Sequence, residues 1–327
     1  MTVPAAPART PRPLVTADCD FCGSAHWEPI LGAMLDDEDV EALPPAFRAL
    51  RFRLGRCAGC GLVYLRERPD PRDLDAYYPS DYKCFQAYES RGAIMKALAT
   101  RVARSKRRQI ERLMPEGTRM LLDYGCGTGT WLTALRKAGC SVDMVGTDVF
   151  EAPLTLLRAQ GIAAFRCDED DLFEHVAPRS VGVVHLFHVI EHVPSPKRVL
   201  SRLREALVPG GVIIGQTPNC ASYGCWFWGE SWNQWHVPHH FVVFSHETLA
   251  RHAESAGLEV VSISNSLSGA TQWAQSGLRT LAARRGRPFL ATAEPLYPPL
   301  ILAGIPLTLL EMAFGHTCHM DFVLRRR

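Results

Sequence analysis

Leu121-Leu122-Asp123-Tyr124-Gly125-Cys126-Gly127-Thr128-Gly129-Thr130-Trp131-Leu132 is the stretch on which the reading of the whole chain turns. A short apolar run breaks into three glycines and then resumes at helical spacing, which is the order of a strand, a tight turn and a helix. Gly125, Gly127 and Gly129 let the backbone bend and approach a bound molecule with no β-carbon in the way, while the following helix offers unpaired N–H groups. Two ligand classes use such a turn. A dinucleotide fingerprint, counted from Gly125, requires a third glycine where Thr130 stands. Asp123 argues further against it, because a carboxylate beside a pyrophosphate adds repulsion and suits a cationic ligand instead.

S-adenosylmethionine carries an ammonium and a sulfonium, so Asp123 can favour its amino group while the helix N-terminus favours its carboxylate. A second acid closes the next apolar run in Val145-Gly146-Thr147-Asp148, where it can accept hydrogen bonds from both ribose hydroxyls. Asp168, after a third such run, is placed for the adenine amino group. Cys126 reads as a small packed residue, not a reactive thiol. Outward from the turn, candidate strands fall at 120–124, 142–147, 162–166, 181–187, 212–217, 260–264 and 320–324, with helical stretches between most of the first six. That alternation predicts a doubly wound, mostly parallel seven-stranded α/β sheet. Before it, apolar positions Ile94, Leu98, Val102, Ile110 and Leu113 among basic residues predict an exposed helix ended by Pro115 and Gly117.

The segments LLDYGCGTG, VGTD, CDEDDLF, FHVIEHVPSP and LVPGGVIIGQTPN, in that order, resemble class I S-adenosylmethionine-dependent methyltransferases across about residues 93 to 265. The resemblance implies a Rossmann-like fold, with S-adenosylmethionine held by Asp123, Gly125, Gly127, Gly129, Asp148 and Asp168, and with His188 on the cofactor side.

Two further motifs precede this region. Cys19-x-x-Cys22 and Cys57-x-x-Cys60 are each followed by a glycine, Gly23 and Gly61, whose tight turn lets two thiolates point at one ion. Four thiolates suit tetrahedral zinc, and a site filled by protein ligands is structural, not catalytic. Between the knuckles lie an acidic stretch, Asp36 to Asp39, and the alternating run Phe52, Leu54, Arg56. The CxxC…CxxCGLVY pattern resembles a group that includes deoxysugar C-methyltransferases and related natural-product enzymes, implying a small-molecule acceptor. Some ribosomal RNA methyltransferases also pair a zinc ribbon with this fold. Here the ribbon is not notably basic, and Phe187-His188-Val189-Ile190-Glu191-His192-Val193 replaces the D/N-P-P-Y/F type motif of base-amino methylation, so nucleic acid is disfavoured as a partner.

Methylation of a hydroxyl or a carbon acid needs a base. Two histidine clusters are candidates: His188-x-x-Glu191-His192, and His236-Val-Pro-His239-His240 ahead of Phe244-Ser245. The first also spells a zinc-peptidase pattern, which requires a long helix, whereas these residues follow a strand. It is similar to the E-x-x-E-H segment of ubiquinone-pathway O-methyltransferases, which can hold a divalent cation, but His188 replaces the first acid. The second resembles the H-E-H-x-x-Y-F-S stretch of the sugar C-methyltransferases, with His240 on the final histidine and Ser245 on the serine. His239 stands where their glutamate would, and Pro238 where their first histidine would. His240 is therefore the expected base, with His192 and Glu191 as further catalytic candidates. The alternative is a histidine that packs beneath the acceptor and orients it. Trp226, Trp228, Trp232 and Trp235 either wall the acceptor pocket or cap the sheet.

With 36 basic and 34 acidic residues in 327 and a net charge of +2, the chain lacks the excess expected of a general nucleic-acid binder. At 47% hydrophobic and 21% charged it can bury a large core. The segment MTVPAAPARTPRP has no apolar h-region, so a signal peptide is not expected and a cytoplasmic location is. The run from Pro295 to Leu310 is uncharged but holds four prolines and is shorter than a spanning helix requires, which predicts an amphipathic or core segment and no membrane span. The expected organisation is a disordered tail at 1–18, a zinc-ribbon-like module at 19–68, a connector and lid helix at 69–118, and the methyltransferase domain at 119–327. An insertion at about 266–317, together with Tyr77, Tyr78 and Tyr82, is expected to line the acceptor pocket.

Overall fold

A computed structural model describes residues 10–34, 43, 45–78, 93–266, 268–285 and 295–327. Residues 1–9, the acidic stretch Asp36 to Asp39 and Tyr82 lie outside the described residues.

Five strands run parallel: β6 (Met120–Tyr124), β7 (Asp143–Asp148), β8 (Ala163–Arg166), β9 (Val181–Phe187) and β10 (Leu207–Pro218). With β12 (Leu258–Asn265) and β13 (His319–Arg326) they form one seven-stranded sheet in the order β12-β13-β10-β9-β6-β7-β8, in which β13 is antiparallel to both neighbours. Val181 to Leu186 of β9 are all buried, the continuous burial of a central strand covered on both faces. Between β6 and β9 the chain reverses its direction of travel across the sheet. Loops leaving the carboxyl ends of such a pair diverge to opposite faces and open a crevice, the customary ligand site of this architecture.

Eight helices of more than one turn accompany the strands among the described residues. They are α1 (Ala93–Leu113), α2 (Thr130–Lys137), α3 (Glu151–Ala159), α4 (Pro196–Ala206), α5 (Tyr223–Trp228), α6 (His246–Ser255), α7 (Gly269–Arg284) and α8 (Tyr297–Phe314). Their starts follow local chemistry. Ser195 caps α4 with Pro196 in its first turn, and Ser245 and Thr248 form a reciprocal capping box on α6.

The N-terminal module is not a detached ribbon. Its sheet, built from β2 (Trp27–Met34), β3 (Phe52–Cys57) and β4 (Val63–Leu65), is completed by β11 (Val242–Val243), which pairs antiparallel with β4. Leu65 N donates to Phe241 O at 2.9 Å, Arg68 to Pro194 O at 2.8 Å, and Arg251 to Cys60 O at 3.0 Å. One continuous hydrophobic core runs from Phe47, Phe52 and Tyr64 of the module through Phe244 and, on α6, Leu249 to Leu186 of the large sheet.

Two expectations are corrected. Residues 10–18 are not a loose tail: β1 (Val15–Thr16) pairs with β5 (Glu67–Arg68), and Arg12 N donates to Asp73 Oδ2 at 2.7 Å. The proline-containing C-terminal run is neither amphipathic in the expected sense nor a core segment. Pro298 and Pro299 sit in the first turn of α8, where no intrahelical N–H is needed, and Pro306 lies inside it. Among the described residues, α8 is the one helix long and apolar enough to cross a membrane by length and composition.

Candidate active site

The glycine turn after β6 is held by its neighbour strand: Gly125 N and Cys126 N both donate to Thr147 O, at 2.8 and 2.9 Å. Gly125, Gly127 and Gly129 all have left-handed φ, +73°, +52° and +67°. At Gly125 a β-carbon would also lie 2.5 Å from Val189 Cγ2, so the loops after β6 and β9 fit together only because this position has no side chain.

Asp148, at the end of β7, sits beneath that turn. Its Oδ2 accepts from Gly127 N at 2.8 Å and its Oδ1 from Phe150 N at 3.0 Å. Burial raises its pKa, and the nearby Asp123 carboxylate adds to the rise. Asp123 is buried, and its Oδ1 accepts from His185 Nδ1 at 2.6 Å across the β6–β9 pair. His185 in turn lies between Trp131 and Phe187 in a stack. Asp123 is thus shared with a histidine that the motif did not reveal. Cys126 is the packed thiol expected: burial, with Asp123 and Asp148 close by, pushes it far up. Asp168 lies at the same sheet edge, exposed, with its Oδ1 accepting from Asp170 N at 2.7 Å.

His188 opens the loop after β9, at the carboxyl end of the strand beside β6. It has a left-handed φ of +54°, and Val189 is the residue that packs on Gly125. Both its nitrogens face acceptors, Nδ1 at 3.2 Å from Glu191 Oε1 and Nε2 at 2.8 Å from Gln216 Oε1. Although burial opposes it, these partners hold His188 above the ordinary imidazole value and Glu191 below that of a carboxylate. Glu191 is fully buried, and its Oε2 accepts from Thr217 Oγ1 at 3.0 Å. A carboxylate so occupied is a poorer proton acceptor than a free one.

The two histidine motifs converge. His192 and His240 have ring centroids 4.7 Å apart, nearly perpendicular. His240 Nδ1 donates to Gln234 O at 2.8 Å, and His192 Nδ1 donates to His239 O at 3.1 Å, which leaves Nε2 as the lone-pair nitrogen on each ring. Burial, together with the neighbouring histidines, drives both well below the ordinary value, so both rings are neutral near pH 7. One ligand atom from each of Glu191, His192 and His240 falls within 4.8 Å of the others, a spacing that a cation could also use.

The connector and the loop before His240 complete this side. Tyr78 Oη lies 3.3 Å from His192 Nδ1, and the Tyr78 ring meets Phe150 and His239 at 5.0 Å. Tyr77 O accepts from His239 Nε2, while the Tyr77 ring packs into the module against Phe47 and Phe52. Gln234 was not marked by any sequence pattern, yet it accepts from His240 through its carbonyl and from His319 Nε2 through its side chain, both at 2.8 Å. Trp232 and Trp235 are core residues beneath it, whereas Trp226 is 82% exposed. The insertion reaches this loop through α7, where Ser276 Oγ accepts from Asn233 N.

The cysteines gather as expected, with Cys19 and Cys60 sulfurs 3.4 Å apart, Cys22 and Cys57 sulfurs 3.5 Å apart, and all four within 4.8 Å of one another. Tetrahedral thiolates around zinc at ~2.3 Å lie about 3.8 Å from each other, so the donor set fits that ion. Gly23 and Gly61 carry the left-handed turns of the knuckles, at φ +71° and +79°.

Buried neutral histidines have a measurable consequence. His240, His252 and His319 all have pKa values depressed by burial, so in acid the unfolded chain takes up protons that the folded chain refuses. Stability is present above the unfolded value near 6.5 and falls as pH drops below it, by at most about 1.4 kcal/mol per pH unit for each group. Denaturant melts between pH 7.5 and 5.5 should show this loss, and a flat profile would contradict it.

Residues 98–263 match the family model described as Methyltransferase domain. A ubiquinone biosynthesis O-methyltransferase of Idiomarina loihiensis is 32% identical over 104 residues, covering 30% of this chain and 42% of the relative. A trans-aconitate 2-methyltransferase of Deinococcus radiodurans is 30% identical over 112 residues, 34% of this chain and 43% of the relative. The chain thus spans less than half the length of these curated relatives. A solved S-adenosylmethionine-dependent methyltransferase from Archaeoglobus fulgidus aligns with 69% of this chain and 94% of its own at 18% identity and a TM-score of 0.44.

Proposed function

Because this chain belongs to the methyltransferase-domain family, we propose that it moves a methyl group from S-adenosylmethionine to a small-molecule acceptor of the sugar or natural-product kind. The observation that carries this reading is the pair of carboxylates, buried Asp123 and half-buried Asp148, beneath a left-handed glycine turn at the switch point of the sheet. Asp148 is pushed up by burial and by Asp123, so the crevice holds negative charge that a cationic nucleoside relieves and a pyrophosphate aggravates. The residues present therefore fit this donor, whose sulfonium supplies an already activated methyl group when bound.

In this reading Asp148 binds the ribose hydroxyls, Asp123 and the amides of the glycine turn fix the amino-acid end, and Asp168 meets the adenine. Displacement at a methyl carbon gains chiefly from alignment. His240 Nε2 takes the acceptor proton, its tautomer fixed by Gln234 O; His192 and Tyr78 shape the acceptor side, and Glu191 anchors the loop. The names of the curated relatives, one an O-methyltransferase of ubiquinone biosynthesis and one a trans-aconitate methyltransferase, support a small-molecule acceptor. Cys19, Cys22, Cys57 and Cys60 hold a structural zinc ion.

Calorimetric titration with adenosylhomocysteine tests the donor. Binding should saturate at one site, and Asp148→Ala should weaken it by roughly 10- to 100-fold, the cost of charge-assisted hydrogen bonds to two hydroxyls. Heat with NADH and none with adenosylhomocysteine would overturn the assignment.

A further inference from the structure

The hairpin formed by α7 and α8 is built inside out. On α8 the inward stripe is Gly304, Thr308 and Glu311, all buried, while the apolar side chains point away from the protein. Leu302, Ile305 and Leu309 form one outer stripe and Leu307, Leu310 and Phe314 a second, with Leu302 at 67%, Leu309 at 56% and Phe314 at 62% exposure. A helix on a water-facing surface has the opposite polarity.

The packing inside the hairpin matches this inversion. A β-carbon at Gly304 would come within 2.9 Å of Ala270 O, and one at Gly269 within 2.9 Å of Thr308 Oγ1. The two backbones thus approach through small residues, the packing used where the surrounding medium is itself hydrocarbon and cannot drive larger side chains together. The single acid of α8, Glu311, is turned inward, where its Oε1 accepts from Gly224 N at 3.0 Å and ties α5 to the hairpin. From α5, Phe227 packs on Trp273 of α7 while remaining 59% exposed, and Trp226 projects further still.

Charge falls at one end. Arg284 and Arg285 are exposed at the close of α7, near the end of the hairpin where Leu281, Ala282, Tyr297 and Leu300 pack around Leu278. A surface with leucine on two stripes, exposed tryptophan and phenylalanine alongside, and arginines at its tip complements hydrocarbon under anionic headgroups. We propose that the α7–α8 hairpin with α5 seats this protein on an anionic lipid surface, α8 lying in the plane of the interface. The other arm of the hairpin, α7, is only 16 residues long and carries Arg279 and Arg284, short of the about 20 predominantly apolar residues of a spanning helix, which favours α8 in the interface over a crossing hairpin. The inference is independent of the methyl acceptor.

Co-sedimentation of the full chain with vesicles tests it, using phosphatidylcholine alone and phosphatidylcholine with about one-third phosphatidylglycerol. The protein should pellet with the anionic vesicles. Ile305→Glu/Leu309→Glu should lower that partition at least ~10-fold, and Arg284→Glu/Arg285→Glu should abolish the preference for anionic lipid. Adenosylhomocysteine binding reports that each variant is folded. Should the double glutamate fail that check, the milder Leu302→Gln/Leu309→Gln takes its place. Wild-type protein that stays in solution with both vesicle types overturns the proposal. So does a lipid-free dimer that Ile305→Glu/Leu309→Glu splits while vesicle binding is unchanged, which would assign the face to a second copy of the chain.

Discussion

Replacing His240 with alanine is expected to lower turnover by about 10²- to 10⁴-fold while adenosylhomocysteine affinity stays within a factor of about three. The reasoning rests on its two nitrogens. Nδ1 is committed to Gln234 O at 2.8 Å, so the lone pair is on Nε2; burial makes the ring a weaker base but leaves that lone pair unprotonated near pH 7, so a proton it takes up is one it readily gives away again. Alanine also leaves a buried carbonyl without its donor, at a cost of about 1–3 kcal/mol, so a stability loss accompanies the kinetic one. His240→Asn separates the two effects. Its amide nitrogen can reach the same carbonyl, but it has no basic atom, so this variant should fold like the parent and remain inactive. Turnover close to the parent's in His240→Asn would remove His240 from proton transfer and leave it an orienting role. Any residual rate should also lose the pH dependence that a titrating imidazole imposes.

Cys57→Ser is expected to destabilise the whole chain, by on the order of several kcal/mol in chemical denaturation, with loss of bound zinc by elemental analysis. The effect should reach the active site because the module shares its sheet. β11 begins two residues after His240 and pairs with β4, and β4 follows Cys60 by only a short turn. Freed knuckles release β4, and with it the segment that positions His240, whereas the glycine turn is anchored on β7. Turnover should therefore fall more than donor affinity. An unchanged melting curve in Cys57→Ser, with zinc absent from both proteins, would count decisively against a structural ion.

The large sheet was legible because its evidence is local. Alternating apolar runs, glycines at a forced left-handed turn and acids at strand ends all lie within short windows, and the strands over 120–124 and 181–187 appear where the pattern put them. Side chains recruited from far along the chain were not. His185 lies in the middle of an apolar run, where nothing marks it as the partner of Asp123; only the β6–β9 register brings them together. Gln234 acts mainly through a backbone carbonyl, which no residue type announces. The packing of Val189 on Gly125 was hidden for the same reason, since it depends on the left-handed backbone at His188 and on two loops far apart in the chain. The C-terminal apolar run misled in another way, since composition reports how greasy a helix is and not which side faces inward.

The carboxylate of Asp148 is gripped by two backbone amides, from Gly127 and Phe150. Its rotamer is thus fixed by the protein, and under the proposed function the ribose hydroxyls need not organise the pocket. Little ordering entropy remains to be spent on association, so selectivity in this crevice should come from matching a rigid template and not from closure around the guest.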